Sequence, residues 1–159
     1  MAAMRAPDAA AAGCLFCRVV EALERADECP HPESGEPVRK IQDLPASVAI
    51  LGADQFYRGY ALVVARTHAT ELYGLPEAEA TQYFRDMLRV ARAIDRAFRP
   101  RKLNYELLGN AVPHLHWHLF PRYADDPSPM RPVWEHTHPP RVATPEEAAA
   151  TIAAIRRHL

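Results

Sequence analysis

The chain lacks three features that would each indicate a particular class of protein. It has only three cysteines in 159 residues, too few for a disulfide framework. It has no apolar run near the roughly 20 residues that span a membrane. An excess of charge of one sign is absent as well, because 19 Lys and Arg are balanced by 20 Asp and Glu, which gives a net charge of −1. Without a bulk positive field we expect no nucleic acid partner, and we expect no membrane partner either.

The length suits one domain. The first 13 residues are rich in alanine but are interrupted by Pro7 and Asp8, and they lack the apolar core of a signal peptide. We predict a disordered tail over residues 1–13 and a single domain over residues 14–159. Eight of the 15 prolines lie from Pro113 onward, so the C-terminal segment of that domain is Pro-rich.

Two of the cysteines are close together, in the order Cys14-x-x-Cys17. This spacing is typical of half a zinc site or of a redox pair. Both interpretations favour a reducing compartment, so we expect a cytoplasmic location. Cys29 and His31 lie in a Pro-rich stretch, where we favour an incidental surface pair over a metal site.

Hydrophobic patterning predicts three helices and five short strands. We expect helices over residues 15–26, 76–98 and 145–159. We expect strands over residues 38–41, 47–51, 59–65, 104–108 and 114–120. Residues 28–37 are interpreted as a surface loop, and residues 123–140, with five prolines, as an irregular connection.

The two later helices carry the clearest local signals. The long helix has one predicted apolar stripe, made of Ala80, Phe84, Met87, Ala91, Ile94 and Phe98. Four arginines mark its opposite, solvated face, where Asp86 and Asp95 dilute the positive charge. The last helix begins with a capping box, in which Thr144 is the N-cap and Glu147 its partner.

The most informative segment is His114-Leu115-His116-Trp117-His118-Leu119-Phe120. Alternate side chains of a strand share a face, so the three histidines line one side of the sheet. The bulky apolar residues between them point to the core. A row of three imidazoles is poor core material but a good reactive surface.

This segment resembles the histidine-triad (HIT) motif, in which three histidines alternate with apolar residues. CLFC near the N-terminus and GYALVVARTH over residues 59–68 resemble further HIT patterns, and the resemblance covers residues 14–159. It implies an α+β fold: a mainly antiparallel sheet of about five strands, a long helix packed on it and a C-terminal helix.

The resemblance also implies an activity. HIT proteins act on nucleotides at an α-phosphate, usually as homodimers, and the middle histidine is the nucleophile, which here is His116. We expect a hydrolase similar to diadenosine polyphosphate hydrolases, or one that cleaves nucleotide phosphoramidates, through a nucleotidyl-histidine. His118 is placed to donate to a phosphate oxygen or to the leaving group. A nucleotidyltransferase with an acceptor other than water and a non-catalytic nucleotide-binding protein remain alternatives.

Zinc-binding relatives supply two further ligands that map onto His68 and His114. With Cys14 and Cys17 they would complete a structural zinc site, which we favour over a merely buried cysteine pair. The resemblance places Tyr60, Asn104, Asn110 and Trp134 near the nucleotide. Trp134 could equally wall the pocket or anchor the C-terminal segment.

The sequence departs from the HIT pattern in three places. Tyr60 stands where the family has a histidine that supports the phosphate site. The loop before the triad is short and lacks the usual glutamine, so Asn110 is a weak substitute. Gly52 occupies the place of an acidic or amide residue that contacts ribose, while Asp54 is close but out of register. His136 and His138 could approach the substrate mouth, but we interpret them as surface loop residues.

Overall fold

The described part of the chain consists of Ala11 and residues 13–159 of a computed structural model, and it contains six strands and three helices. The helices are α1 (Leu15–Leu23), α2 (Glu77–Phe98) and α3 (Pro145–Arg156). The strands are β1 (Glu28–Pro30), β2 (Pro37–Asp43), β3 (Ser47–Leu51), β4 (Ala61–Ala65), β5 (Lys102–Glu106) and β6 (His116–Arg122). Short 3-10 turns lie at Leu72–Gly74 and Val133–Glu135. The predicted tail, residues 1–13, lies almost wholly outside the described residues and stays a prediction.

The strands form one antiparallel sheet in the order β1-β2-β3-β4-β6-β5. The α+β fold is therefore confirmed, with one strand more than predicted. The extra strand is β1, in the stretch interpreted as a loop. Its Pro30 pairs with Pro37 at the end of the hairpin. Prolines are tolerated there because β1 is an edge strand that needs few of its N–H groups for pairing.

Both faces of the sheet are covered, so β3 is buried along its whole length. Ala49 and Leu51 join the core beneath α2 and α3, while Val48 and Ile50 pack with α1 on the other face. Val64 belongs to the α1 side and pairs in register with His116. The second and third triad histidines therefore lie on the α1 face of the sheet.

The predicted apolar stripe of α2 is partly wrong. Phe84 is 48% exposed, whereas Tyr83 and Val90 are buried. The helix is rotated so that Tyr83 donates its hydroxyl to the carbonyl of Val63 in the sheet. Asp86 is buried too, where its carboxylate accepts hydrogen bonds from the Ala46 amide and the Ser47 hydroxyl. It is thus not part of the solvated arginine face.

Other boundaries differ from the predicted ones by up to three residues. The strand that holds the triad begins at His116, so His114 lies just before it. Leu115 and Leu119 nevertheless enter the α2 core, with Trp117 packed against it, as predicted. The capping box of Thr144 and Glu147 is confirmed. Within the described residues, no helix has the length and apolar character needed to traverse a bilayer.

Candidate active site and metal site

Four side chains from three parts of the chain meet at one end of the triad strand. Cys14 and Cys17 come from the start of α1, His68 from the turn after β4, and His114 from the residue pair before β6. Their ligand atoms all lie within 4.8 Å of one another. These residues could hold a metal ion, and they are the four that the sequence nominated.

The spacing of these atoms fits a tetrahedral ion. His114 Nδ1 lies 3.4 Å from Cys14 Sγ, 3.6 Å from Cys17 Sγ and 3.4 Å from His68 Nδ1. Zn–S bonds of about 2.3 Å and Zn–N bonds of about 2.0 Å place tetrahedral ligand atoms about 3.3–3.8 Å apart. The donor set of two thiols and two imidazoles is also the one that zinc prefers.

Local structure prepares His114 for a metal, whereas Cys17 needs a bound cation to become a thiolate. His114 Nε2 donates to the Ala65 carbonyl at 2.8 Å, so its Nδ1 keeps the lone pair that a metal needs. Burial and the neighbouring Cys14 raise the pKa of the Cys17 thiol to about 12. A cation bound to both sulfurs would offset that cost, and the N-terminus of α1 also favours a thiolate.

His116 is held by the strand itself. Its Nδ1 donates to the backbone carbonyl of His114 at 2.6 Å, so Nε2 carries the free lone pair. Burial lowers the pKa of His116, which keeps the imidazole neutral at pH 7. The Phe16 ring of α1 lies 4.6 Å from the His116 ring and shields one side of it. A neutral, oriented imidazole nitrogen is a competent nucleophile.

His118 is held by a side chain from another strand connection. Its Nδ1 lies 2.7 Å from the hydroxyl oxygen of Tyr60, the residue just before β4. Burial, and then the nearby His116, lower the pKa of His118 to about 4. Burial also raises the pKa of Tyr60, followed in effect by Glu106. Both partners are therefore uncharged at pH 7, with the His116 and His118 rings 4.8 Å apart.

A cavity of about 360 Å³ lies next to the triad strand. Neither His116 nor His118 lines it, but three ring neighbours of His118 do, namely Tyr60, Phe120 and Trp134. Its walls are mostly apolar, and they include Phe16, Ile50, Leu62 and Phe120. Pockets for small ligands typically range from about 300 to 1,000 Å³ and combine apolar walls with a few polar groups. The volume and lining thus suit a small ligand.

Two of the residues predicted near a nucleotide line this cavity. Tyr60 forms part of the wall. Trp134 stands at the rim with its ring at right angles to His118, at 5.4 Å, and its indole N–H donates to Glu106. Asn104 and Asn110 are not among the lining residues. Asn104 accepts a hydrogen bond from Arg122 at 2.6 Å, and Asn110 is exposed.

The lining of the cavity also contains polar side chains. His31, Asp54 and His138 line it. The interpretation of His138 as a surface loop residue is wrong, because its ring stacks on Phe56 at 3.8 Å and its Nδ1 lies 3.7 Å from an Asp54 oxygen. The sequence could not indicate this position because it depends on a long-range contact. The Arg141 amide donates to the Asp54 carboxylate, 87 residues away, and so holds the segment of His138 beside the cavity.

The remaining histidine and cysteine candidates lie outside the four-residue cluster. His136 is half-buried, with its ring 5.6 Å from that of His138. Cys29 is buried in β1 and does not belong to the four-residue cluster. His31 Nδ1 accepts the Glu33 and Ser34 amides in the hairpin turn, which leaves Nε2 as its N–H donor.

Arg122 organises the Pro-rich connection, a role that sequence reasoning missed. It is 4% exposed, and its guanidinium donates to Asp126, Asn104 and the carbonyls of Ser128 and Arg131. These bonds fold the segment back on the sheet. The turn that carries Trp134 is thereby held beside His118.

Fold and site together define a protein with an oriented histidine row, a Cys2His2 cluster and an apolar pocket. A family model described as "HIT domain" matches residues 33–125, more than half of the chain. "Protein hit" of Bacillus subtilis is 31% identical over 119 residues, which cover 71% of this chain and 73% of that protein. The chain belongs to the HIT domain family.

Other similarities agree with this assignment. A histidine triad protein from Bradyrhizobium japonicum has a TM-score of 0.70 and 34% identity, covering 76% of this chain and 90% of that one. A Zn-bound histidine triad family protein from Mycobacterium smegmatis has the same fold, with a TM-score of 0.64, 24% identity and coverage of 92% and 96%. An adenosine 5'-monophosphoramidase from Saccharomyces cerevisiae is 24% identical over 75% of this chain and 68% of its own length.

Proposed function

We propose that the protein is a nucleotide hydrolase that cleaves at an α-phosphate through a covalent nucleotidyl-His116. The observation that carries this proposal is the bond from His116 Nδ1 to the His114 carbonyl. It fixes the tautomer with a free Nε2 lone pair, in a ring whose pKa is lowered by burial. Such a nitrogen can attack phosphorus at neutral pH without a separate base.

The reaction runs in two displacements. His116 Nε2 forms a bond to the α-phosphorus, and the bond from phosphorus to the leaving group breaks with its electron pair. The leaving group takes up a proton from solvent as it departs. Water then attacks the same phosphorus and gives up a proton, the N–P bond breaks with its electron pair returned to Nε2, and a nucleoside monophosphate leaves. His118 donates a hydrogen bond to a phosphoryl oxygen and so stabilises the charge that develops in each transition state.

The cavity supports a nucleoside as the part of the substrate that is recognised. Tyr60 and Trp134 are at its wall and rim, next to His118, and they are our nucleotide-binding candidates. Asn104 and Asn110 remain candidates by family position alone. Base preference depends on the polar residues of the pocket, among which are Asp54 and His138.

Two substrate classes fit this chemistry. Dinucleoside polyphosphates such as diadenosine tetraphosphate lose a phosphate-based leaving group, and nucleotide phosphoramidates lose an amine. The relative named as an adenosine 5'-monophosphoramidase supports the second class. A nucleotidyltransferase would share the intermediate, so product analysis with and without candidate acceptors separates hydrolysis from transfer.

The four-residue cluster would hold zinc. Cys14, Cys17, His68 and His114 would bind it, and the ion would supply a structural cross-link between α1 and the sheet. The Zn-bound neighbour supports this choice of metal. We further propose a cytoplasmic location, where thiols stay reduced, and a homodimer.

Intact-protein mass spectrometry tests the mechanism. After brief exposure to diadenosine tetraphosphate or to adenosine 5'-monophosphoramidate, the parent should gain the mass of one adenylyl group. His116→Asn should form no adduct and lose turnover while it still binds nucleotide, because the pocket walls are intact. His158→Asn, at the exposed end of the chain, is the matched control and should react like the parent. Turnover by the His116 variant near the parent rate would contradict the covalent mechanism.

A further inference from the structure

We propose that Tyr60 is a positioning residue that fixes His118 in the tautomer with a proton on Nε2, and that Gly52 is glycine because the Tyr60 ring occupies its side-chain space. This inference rests on the proposed function for its catalytic consequence. It explains two departures from the HIT pattern, Tyr60 and Gly52, by one contact between them.

The geometry around Tyr60 leaves its ring little freedom. The phenol is 8% exposed and stacks on Phe120, with centroids 4.0 Å apart and planes at 10°. The His118 imidazole lies parallel to both rings, at 10° to Tyr60 and 1° to Phe120. The Tyr60 hydroxyl is thereby brought to 2.7 Å from His118 Nδ1. The contact is built by packing, since an aromatic stack holds each partner.

The direction of this hydrogen bond follows from the chemistry of the two groups. A phenol has an O–H to donate, and a neutral imidazole has one acceptor nitrogen. The imidazole nitrogen is a stronger acceptor than a phenolic oxygen, so Tyr60 donates to Nδ1. The ring proton of His118 is then on Nε2. That N–H is the donor the proposed mechanism needs at a phosphoryl oxygen.

Gly52 is required by close packing. A Cβ built on Gly52 would lie 2.1 Å from Tyr60 Cδ1 and 2.4 Å from Cε1, distances that real atoms do not show. The two backbones are also joined, because the Gly52 amide donates to the Tyr60 carbonyl at 2.9 Å. Gln55, 2% exposed, donates to both carbonyl oxygens and fixes this loop. Any side chain at position 52 would have to displace the phenol from His118.

The experiment compares Tyr60→Phe with Tyr60→His and with the matched control Tyr123→Phe, which removes a hydroxyl that donates to the Arg58 carbonyl outside the site. The first readout is ¹⁵N NMR of the His118 ring in the resting protein. We expect one nitrogen pattern in the parent, with the proton on Nε2, and a mixture of the two tautomers in Tyr60→Phe. Tyr123→Phe should match the parent.

The second readout separates kcat from KM. For metal-bound histidines, loss of an orienting hydrogen bond costs about tenfold to a hundredfold in metal affinity or activity, and we expect a loss of similar size at His118. We expect Tyr60→Phe to lose that factor in kcat with little change in KM, since the ring and its stack remain. Tyr60→His should restore much of the rate, because its ring N–H can also donate. Gly52→Ala should resemble Tyr60→Phe if it folds.

Unchanged ¹⁵N signals and unchanged kcat in Tyr60→Phe would overturn the proposal. Equal losses in Tyr60→Phe and Tyr123→Phe would overturn it too, since they would indicate general destabilisation. A parent that forms no adenylyl adduct would defeat the proposed function, yet the NMR comparison in the resting protein would still decide the role of Tyr60.

Discussion

The three triad histidines have the same spacing but different partners. His114 donates from Nε2 to the Ala65 carbonyl, and His116 donates from Nδ1 to the His114 carbonyl. His118 pairs through Nδ1 with the Tyr60 hydroxyl. The partner of each ring decides which nitrogen is free, so one residue type suits the three roles we propose, those of metal ligand, nucleophile and hydrogen-bond donor.

The low pKa of His118 predicts a loss of stability in acid. Burial, with His116, holds the pKa of His118 at about 4 in the folded protein, while an unperturbed histidine has a pKa of 6.5. Between about pH 4 and pH 6.5, His118 therefore binds a proton in the unfolded chain but not in the folded chain. The stabilisation is complete above about pH 6.5 and is lost as the pH falls towards about 4. Urea unfolding across this range should show the decline.

A variant isolates the contribution of His118 to this profile. His118→Gln should show a shallower decline in unfolding free energy between pH 6.5 and 4 than the parent. Both proteins keep the four cluster residues, so metal release affects them alike. His158→Gln should follow the parent. Parallel curves for the parent and His118→Gln would show that the pKa of His118 is not depressed.

Helix α1 depends on side chains outside itself for its attachment. It is nine residues long, and its N-cap, Cys14, makes no side-chain capping bond. Short helices are marginal alone and rely on tertiary contacts. Phe16 and Val19 pack on the sheet and line the cavity, while Cys14 and Cys17 reach the histidines. A metal at the cluster would therefore hold one wall of the pocket in place.

Metal content tests this cross-link. We expect about one zinc per chain in protein purified without chelator, and much less in Cys17→Ala, because a tetrahedral site loses one of four ligands. The Tm of Cys17→Ala should fall by more than about 5 °C, since 1 kcal/mol corresponds to about 2–4 °C at this size. Cys29→Ala is the matched control, as Cys29 is a buried thiol outside the cluster.

In that comparison, retained zinc in Cys17→Ala would remove this residue from the ligand set. Loss of zinc in both variants would point to unfolding as the common cause. We expect Cys29→Ala to retain zinc and Cys17→Ala to lose it.

At the scale of the whole molecule, no strand among the described residues pairs with the outer edge of β5. Tyr105 on this strand is 43% exposed and Leu108 just beyond it is 51% exposed. Unpaired edge strands with apolar side chains readily associate. These features support the proposed homodimer.

Sedimentation velocity tests the assembly. We expect a mass of about twice 17.8 kDa for the parent. Tyr105→Lys places a charge on the β5 edge and should shift the protein to monomer, because lysine on an edge strand opposes pairing. Tyr73→Lys, at an 88% exposed position in a 3-10 turn, should remain dimeric. A monomeric parent, or a dimer insensitive to Tyr105→Lys, would exclude this interface.

Much of the fold follows from local pattern. The alternation in the triad strand, the spacing of Cys14 and Cys17, and the capping box at Thr144 act between residues close in sequence, and each was predicted from it. β1 was not, because prolines there look like a loop until the partner strand is known. The exposure of Phe84 was also missed, since a helical period does not decide which side of a broad stripe meets the sheet.

By itself, then, the sequence determined the kind of fold, the residues of the triad and the four residues of the Cys2His2 cluster. Tertiary structure decided which nitrogen of each histidine is free, where Tyr60 rests and that His138 reaches the pocket. The physical reason is range. Periodicity and spacing constrain neighbours, whereas the partners of His114 and His118 are 49 and 58 residues away and are brought close only by pairing of the strands and by packing of the rings.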